Sequence, residues 1–170
     1  ETDPRQIEHI NALSAQVRAL GLPVVWTYVA YLESGEDAGT WGTRTNTPDS
    51  LQNIKHGSER AQFDPRADVQ PGDIVMHKRM ASPFFETNLW SLLTFHKIDT
   101  LIITGGSTSG CIRACVIDSL SRGYRSIVPE ECVADKHEIP HFANLSDIML
   151  KYGDVESVEQ VAAQLQALRA

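Results

Sequence analysis

The chain has 170 residues, a length that suits one domain with one substantial core. Its 42% hydrophobic content is ordinary for a globular protein, and no apolar run reaches the roughly 20 residues that a membrane span needs. With 15 Lys and Arg against 22 Asp and Glu, the net charge of -7 argues against a nucleic-acid or anionic-membrane binder. We therefore expect a small-molecule partner, no nucleic acid and no membrane.

The first third of the chain predicts a helix, a strand and a long loop. Residues 3–21 place apolar side chains at helical spacing, with Asp3 as the N-cap and Gly21 as the stop. The β-branched and aromatic run "PVVWTYVAY" predicts a strand. Residues 32–73 show no sustained period, and so long a loop in a compact domain is expected to lie over a functional site.

Strands and helices alternate through the rest of the chain. The predicted strands are "DIVMHK", "TLIITG" and "YRSIVP", and the predicted helices are "NLWSLLTFHKI", "CIRACVIDSLSRG", "HFANLSDIMLKYG" and a last helix opened by a Ser157–Gln160 capping box. Such alternation predicts parallel strands joined by crossovers, with helices on both faces of the sheet. Because these sheets bind ligands beyond the carboxyl ends of their strands, we expect the site there.

Cys111 ends the segment "TGGSTSGC", where the chain passes from a strand into a helix. A free cysteine is more often a buried packing residue than a nucleophile. At a helix N-terminus, however, unpaired N–H groups and the helix dipole stabilise a thiolate, and the same groups can hold an oxyanion. Cys115 and Cys132 lack this setting and are expected only to pack. Three cysteines are too few and too odd a count for a disulfide scaffold, which favours free thiols in a reducing compartment.

Other polar residues near this edge carry weaker signals. Lys78 ends a predicted strand, so its ammonium could reach the same edge, although a strand-end lysine is usually a solvated charge. The glycine-rich turn matches neither phosphate-binding pattern, and Pro140 interrupts the His137 and His141 pair. We expect no metal and no cofactor.

Residues 78–136, from "KRMASPFF" through "TLIITGGSTSGCIRAC" to "ECVADK", resemble the core of the isochorismatase-like cysteine hydrolases. Within that family they are most similar to the N-carbamoylsarcosine amidohydrolase branch, and the similarity extends over nearly the whole chain. The resemblance implies a three-layer α/β/α, Rossmann-like fold with a mainly parallel sheet, and one such domain over residues 1–170.

The resemblance also implies roles for residues at the matching positions. Cys111 is the nucleophile and Lys78 the catalytic lysine of an Asp, Lys and Cys triad. A cis peptide is expected between Gly106 and Ser107, and the N–H groups of Ser107 and Cys111 are expected to form the oxyanion hole.

Two departures from the family pattern stand out. The family's aspartate ends a strand that precedes the first helix, and this chain begins at Glu1 without that strand, so we expect a segment upstream. Lys136, the last residue of "ECVADK", stands where the amidohydrolase has a substrate-binding arginine, and lysine keeps the charge without the bidentate fork. Trp41 and Phe84 are candidates for the pocket wall, with core or loop packing as the alternative for each.

These features predict a cysteine-dependent amidohydrolase that releases ammonia from a small, anionic N-carbamoyl compound or primary amide through a thioester. One rival is a vinyl ether hydrolase of the isochorismatase type, which needs no thiol nucleophile. Another is a binding module that kept the fold without catalysis. The resemblance further implies a homo-oligomer, and we expect a cytoplasmic protein.

Overall fold

The computed structural model describes residues 3–168. Its helices are α1 (Gln6–Ala19), α2 (Gly39–Thr43), α3 (Leu89–Phe95), α4 (Arg113–Ser121), α5 (Glu138–Lys151) and α6 (Val158–Ala167). Its strands are β1 (Val25–Val29), β2 (Ile74–Lys78), β3 (Thr100–Ile102), β4 (Gly105–Gly106), β5 (Arg125–Pro129), β6 (Val133–Ala134) and β7 (Asp154–Glu156). None of the helices described within residues 3–168 is long and apolar enough to cross a bilayer.

The strands pair in parallel throughout. Strand β1 pairs with β2, from Val25 opposite Ile74 to Val29 opposite Lys78. Strand β5 lies between β3 and β7, and the short strands β4 and β6 pair with each other. Parallel pairing brings the carboxyl ends of neighbouring strands to one edge, which is where Lys78 and the turn after β4 lie.

Two apolar cores cover the two faces of the sheet. The main core takes buried side chains from α3, α4 and α5, among them Leu93, Val116 and Ile148. The second core takes Leu13 from α1 and Val161 from α6. Because successive strand residues point to opposite faces, the strands feed both cores. The predicted α/β architecture with helices on both faces is confirmed.

Strands β1 and β3 each have one side without a strand partner within residues 3–168. Val25 and Leu101 pack against the main core, whereas Trp26 and Ile102, the next residue of each strand, pack against the second. The two strands therefore belong to the same layer, each with one open edge.

Some local predictions were wrong. Asp3 does not cap α1, because its carboxylate accepts the N–H of Arg5 at 2.8 Å in a turn that ends before the helix begins. The loop of residues 32–73 contains α2 and two 3-10 turns, Leu51–Asn53 and Glu59–Ala61. The sequence also missed β7, a mostly polar strand of three residues. The Ser157–Gln160 capping box of α6 is confirmed.

Candidate active site

Lys78, the last residue of β2, is buried with only 4% of its surface exposed. Its ammonium donates to the carbonyl oxygens of Met80 and Ala81, both at 3.0 Å, and to Sγ of Cys111 at 3.2 Å. An ammonium has three N–H donors, and these contacts occupy all of them. The chain turns back after β2 so that two carbonyls compensate the buried charge, and the third N–H of the ammonium donates to Sγ of Cys111.

Cys111 lies in a single π-helical turn, Thr108–Ile112, between β4 and α4. The peptide bond between Gly106 and Ser107 is cis, and the Ser107 carbonyl accepts the N–H groups of Gly110 at 3.1 Å and Ile112 at 3.2 Å. A Cβ atom at Gly110 would lie 2.6 Å from Oγ of Ser107, so this position accepts only glycine without rearrangement. The glycine-rich sequence thus fits a tightly folded turn that presents the thiol to Lys78.

Two tethers join this turn to the segment that follows β6. Oδ2 of Asp135 accepts the N–H of Ser109 at 2.7 Å, and Oδ1 accepts the N–H of Lys136 at 2.7 Å. The fully buried hydroxyl of Thr108 is hydrogen-bonded to Nδ1 of His141 at 2.8 Å. Burial opposes ionisation of Asp135, but the hydrogen bonds from Ser109 and the following backbone outweigh it and hold the pKa of this carboxyl below its usual value.

Aromatic side chains surround the lysine on the side of the long loop. The ring centroid of Trp41, in α2, lies 5.8 Å from Nζ of Lys78, within range of a cation–π contact. Tyr31 is fully buried and donates its hydroxyl to the carbonyl of Arg79 at 2.6 Å. Burial, followed by negative charge at Cys111 and Asp37, raises the pKa of Tyr31 to about 12. Tyr31 is therefore a neutral donor that fixes the backbone beside Lys78.

Comparisons with known proteins identify the family of the chain. The family model described as the isochorismatase domain matches residues 1–160. The chain belongs to the isochorismatase family. It is 39% identical over 163 residues to a maleamate amidohydrolase of Pseudomonas putida, covering 95% of this chain and 75% of that protein. It is 37% identical over 169 residues to an N-carbamoylsarcosine amidase of an Arthrobacter species, covering 95% of this chain and 62% of that protein.

The comparison with solved structures supports the fold. The crystal structure of a cysteine hydrolase from Pseudomonas syringae matches with a TM-score of 0.88 and 19% identity, over 98% of this chain and 82% of that one. The predicted family and fold are confirmed. The named relatives hydrolyse carbon–nitrogen bonds, which agrees with the predicted class of hydrolase.

The other cysteines of this isochorismatase family member lie away from solvent. Cys115 packs in the main core and Cys132 in the second. Burial raises the pKa of each thiol to about 12, so neither is available as a thiolate near neutral pH. Their assignment as packing residues agrees with the structure, and Cys111 is the cysteine that contacts a cation.

The candidates for substrate binding lie in different surroundings. Lys136 has a side chain 76% exposed and pairs with Asp49 of the long loop at 3.6 Å. Phe84 is a core residue, which corrects its proposed place in the pocket wall: its ring lies 6.0 Å from that of Tyr124, and the guanidinium of Arg122 stacks over it. Trp41 alone of these candidates contacts Lys78.

Within residues 3–168 no carboxylate forms an ion pair or hydrogen bond with Lys78 or Cys111. In the same range no cluster of three or more His, Cys, Asp or Glu side chains is arranged to hold a metal ion. Nδ1 of His141 is hydrogen-bonded to the hydroxyl of Thr108. The four-residue spacing of His137 and His141 corresponds to the first turn of α5, which His137 precedes.

Sequence reasoning missed Asp135, His141 and Tyr31 as parts of the site. Asp135 follows β6, which at two residues is too short to show a strand pattern. His141 was considered only as a metal ligand, and Tyr31 only as part of a strand. The available signal for Asp135 was its place just beyond the buried run "CVA", at the edge where the other site residues gather.

Proposed function

We propose that this protein is a cysteine-dependent amidohydrolase that releases ammonia from a small N-carbamoyl compound or primary amide. The observation that carries the proposal is the hydrogen bond from the buried Lys78 ammonium to Sγ of Cys111, at 3.2 Å. A cation beside a thiol favours the thiolate, which is the nucleophilic form. Neither buried cysteine has such a partner, which supports Cys111 as the nucleophile.

The first half of the reaction forms a thioester from a primary amide, or the corresponding thiocarbamate from an N-carbamoyl compound. The thiolate of Cys111 attacks the carbonyl carbon, a C–S bond forms, and the carbonyl oxygen takes the negative charge. The N–H groups of Ser107 and Cys111, at the start of the turn, would hold that oxyanion. Collapse of the tetrahedral species breaks the C–N bond, and ammonia departs after taking one proton from a general acid.

The general acid is an aspartate from an upstream strand that lies between β1 and β3. The open edges of these strands support this placement, because both strands feed the same two cores and neither has a partner on its open side within residues 3–168. The carboxyl end of a parallel strand inserted there would lie at the edge that holds Lys78. The aspartate then accepts a proton from the water that attacks the thioester, and the C–S bond breaks to restore the thiolate.

The substrate is small and carries an anionic group. Maleamate and N-carbamoylsarcosine, the compounds in the names of the relatives, each combine a terminal amide or carbamoyl group with a carboxylate. Trp41 would form the apolar wall near the reacting carbonyl. Lys136 would bind the carboxylate, in competition with Asp49, its partner in this structure.

An ammonia-release assay tests the proposal. It compares the full-length protein with its Cys111→Ala variant, with maleamate and N-carbamoylsarcosine as substrates. We expect turnover with at least one compound, none in the variant, and a thioester on Cys111 that mass spectrometry detects after acid quenching. Cys115→Ala is the matched control, since it removes a thiol without a cationic partner. Undiminished ammonia release by Cys111→Ala would refute the mechanism and favour chemistry without a thiol.

We also propose that copies of the protein associate. Large apolar side chains are exposed on α3 and α5, including Trp90, Phe95, Ile139 and Leu150, at 55% to 84% of their surface. Exposed apolar area of this kind is typical of interfaces. Sedimentation velocity should show an oligomer that Ile139→Lys with Leu150→Lys shifts towards the monomer, whereas a wild-type monomer at micromolar concentration would contradict the proposal.

A further inference from the structure

The turn that carries Cys111 is capped from a distant part of the chain. Ser107 occupies the N-cap position of the turn but makes no side-chain capping bond. The first N–H groups of any helical turn lack partners within it, and a carboxylate is the strongest acceptor a side chain can offer them. Asp135, at 26 positions along the chain from Ser109, accepts its N–H at 2.7 Å.

The capping carboxylate is itself fixed at both oxygens. Oδ2 is held by Ser109, and Oδ1 accepts the N–H of Lys136 at 2.7 Å. Since each oxygen already has a backbone partner, this carboxylate is arranged to hold a position rather than to transfer protons. Asp135 follows β6, which pairs with β4, so the cap and the turn leave adjacent strands and are built on one rigid frame.

A second, independent tether acts on the same turn. Thr108, fully buried, is hydrogen-bonded to His141 of α5 at 2.8 Å. The two tethers hold consecutive residues of the turn, Thr108 and Ser109. The thiol two positions further on is then restrained relative to Lys78, which is anchored separately by two carbonyls.

We propose that Asp135 is a positioning residue for Cys111. Its carboxylate occupies the Ser109 N–H, leaves the N–H groups of Ser107 and Cys111 to the substrate oxygen, and keeps the thiol within reach of Lys78. The inference rests on the proposed cysteine chemistry. Misplacing a reacting group by about 1 Å can cost about 100-fold in rate, so a cap that fixes the turn has a large effect without touching substrate.

Three substitutions at this position separate hydrogen bonding from charge and from general stability. Asp135→Asn keeps an oxygen for the Ser109 N–H without the charge, Asp135→Glu keeps the charge but displaces it by one methylene, and Asp135→Ala removes both. We expect kcat to fall about 10- to 100-fold in the Ala variant and clearly in the Glu variant, with KM changed less than about threefold. The Asn variant should recover part of kcat, because its oxygen restores the capping bond to Ser109 although its NH2 cannot accept the N–H of Lys136.

The control variant is Asp147→Asn, which removes a surface charge from α5, where Asp147 pairs with Lys151 at 3.0 Å. Its kcat should equal that of the wild type. A thermal melt of each variant separates folding from positioning, and should the Ala variant fail to fold, the comparison of Asn with Glu still decides. Equal kcat in the Ala variant and the wild type, or better retention by Glu than by Asn, would overturn the inference.

The rate at which iodoacetamide labels Cys111 distinguishes this outcome from failure of the proposed function. If the wild-type thiol reacts no faster than an ordinary thiol and Cys111→Ala retains turnover, the cysteine mechanism itself is wrong. If the wild-type thiol is reactive and essential but Asp135→Ala leaves kcat unchanged, only the positioning role is wrong.

Discussion

Strand β2 has a buried charged group at each end, and the two groups are treated differently. Asp73, directly before the strand, has a side chain only 2% exposed and accepts the Arg18 guanidinium at 2.7 and 2.8 Å, the indole N–H of Trp26 at 2.7 Å and the N–H of Gln70 at 3.0 Å. Lys78, the last residue, has two carbonyl partners and one thiol. The first group is surrounded by strong permanent partners, and the second keeps one contact with a group that can react.

This difference separates a structural charge from a functional one. The Arg18 hydrogen bond, together with the Trp26 and Gln70 bonds, lowers the pKa of Asp73 to about 2, so the pair is ionised and fixed under ordinary conditions. At the other end a thiolate loses its charge whenever it attacks a carbonyl. A cation held by neutral carbonyls can transfer its attraction from the thiolate to the developing oxyanion without reorganising.

Removal of the cation at each end should therefore have different consequences. Lys78→Met should lower kcat/KM by at least about 100-fold, since in the proposed mechanism it removes the charge that stabilises both thiolate and oxyanion. It should also slow labelling of Cys111 by iodoacetamide at neutral pH. Both effects are measured against Arg18→Met, which removes the cation at the other end of β2.

Arg18→Met should unfold at a lower urea concentration but keep the wild-type labelling rate of Cys111 in its folded molecules. Fast labelling of Cys111 in Lys78→Met would show that the lysine does not activate the thiol. A loss of labelling in Arg18→Met would show that the Arg18–Asp73 pair also affects the reactivity of the Cys111 thiol.

Removal of the Asp73 carboxylate should lower the free energy of unfolding. Asp73→Ala leaves the Trp26 N–H without its acceptor and leaves the Arg18 guanidinium with Asp68 as its remaining partner. Loss of the acceptor of a buried donor costs about 1–3 kcal/mol in the free energy of unfolding. Asp73→Asn should lose less, because it retains an oxygen for Trp26. Urea denaturation of both variants checks the order, and equal losses would mean that the indole bond contributes nothing.

The larger features of this fold could be predicted from the sequence because they depend on long apolar patterns. "DIVMHK" and the capped helix α6 are examples, since each carries its period and its boundary signals within the segment itself. Strands β6 and β7, of two and three residues, have too few positions to show a period, and their pairing partners are remote in the chain. Phe84 and Phe85 show the same limit on the scale of one residue, since one is buried and the next is 48% exposed.

The candidate site was predictable where one short segment supplies the chemistry. Cys111 could be found because a glycine-rich turn before a helix is a local signal, whereas Lys78 was identified through the family resemblance. Only the folded chain shows the 3.2 Å contact between them. Asp135 and His141 could not be found, because their partners, Ser109 and Thr108, are 26 and 33 positions away. A hydrogen bond between residues so far apart in the chain leaves no pattern in either local segment.

Asp73 should contribute to the fall in the free energy of unfolding at acidic pH. Its pKa is about 2 in the folded protein against an ordinary value of 3.8, so the carboxylate stabilises the fold above pH 3.8 and this contribution is lost as the pH falls towards 2. The shift corresponds to about 2 kcal/mol in full, of which about half is lost by about pH 3. The free energy of unfolding measured from about pH 6 to about pH 3 should therefore fall more steeply in the wild type than in Asp73→Asn. Parallel curves would contradict the assignment.

The smallest effect is expected at Asp64, which gives the sharpest contrast with Asp73. Hydrogen bonds from Arg66 lower the pKa of Asp64 to about 2, the same value, but the Arg66 side chain is 64% exposed and that of Asp64 35%. Water can replace Arg66 at such a surface, and exposed pairs between neighbours in sequence contribute little to folding. Asp64→Asn should consequently leave the urea midpoint at pH 7 close to that of the wild type, whereas Asp73→Asn lowers it. A large shift in Asp64→Asn would mean that the low pKa, and not the burial of the pair and its bond to Trp26, accounts for the stability at the structural end of β2.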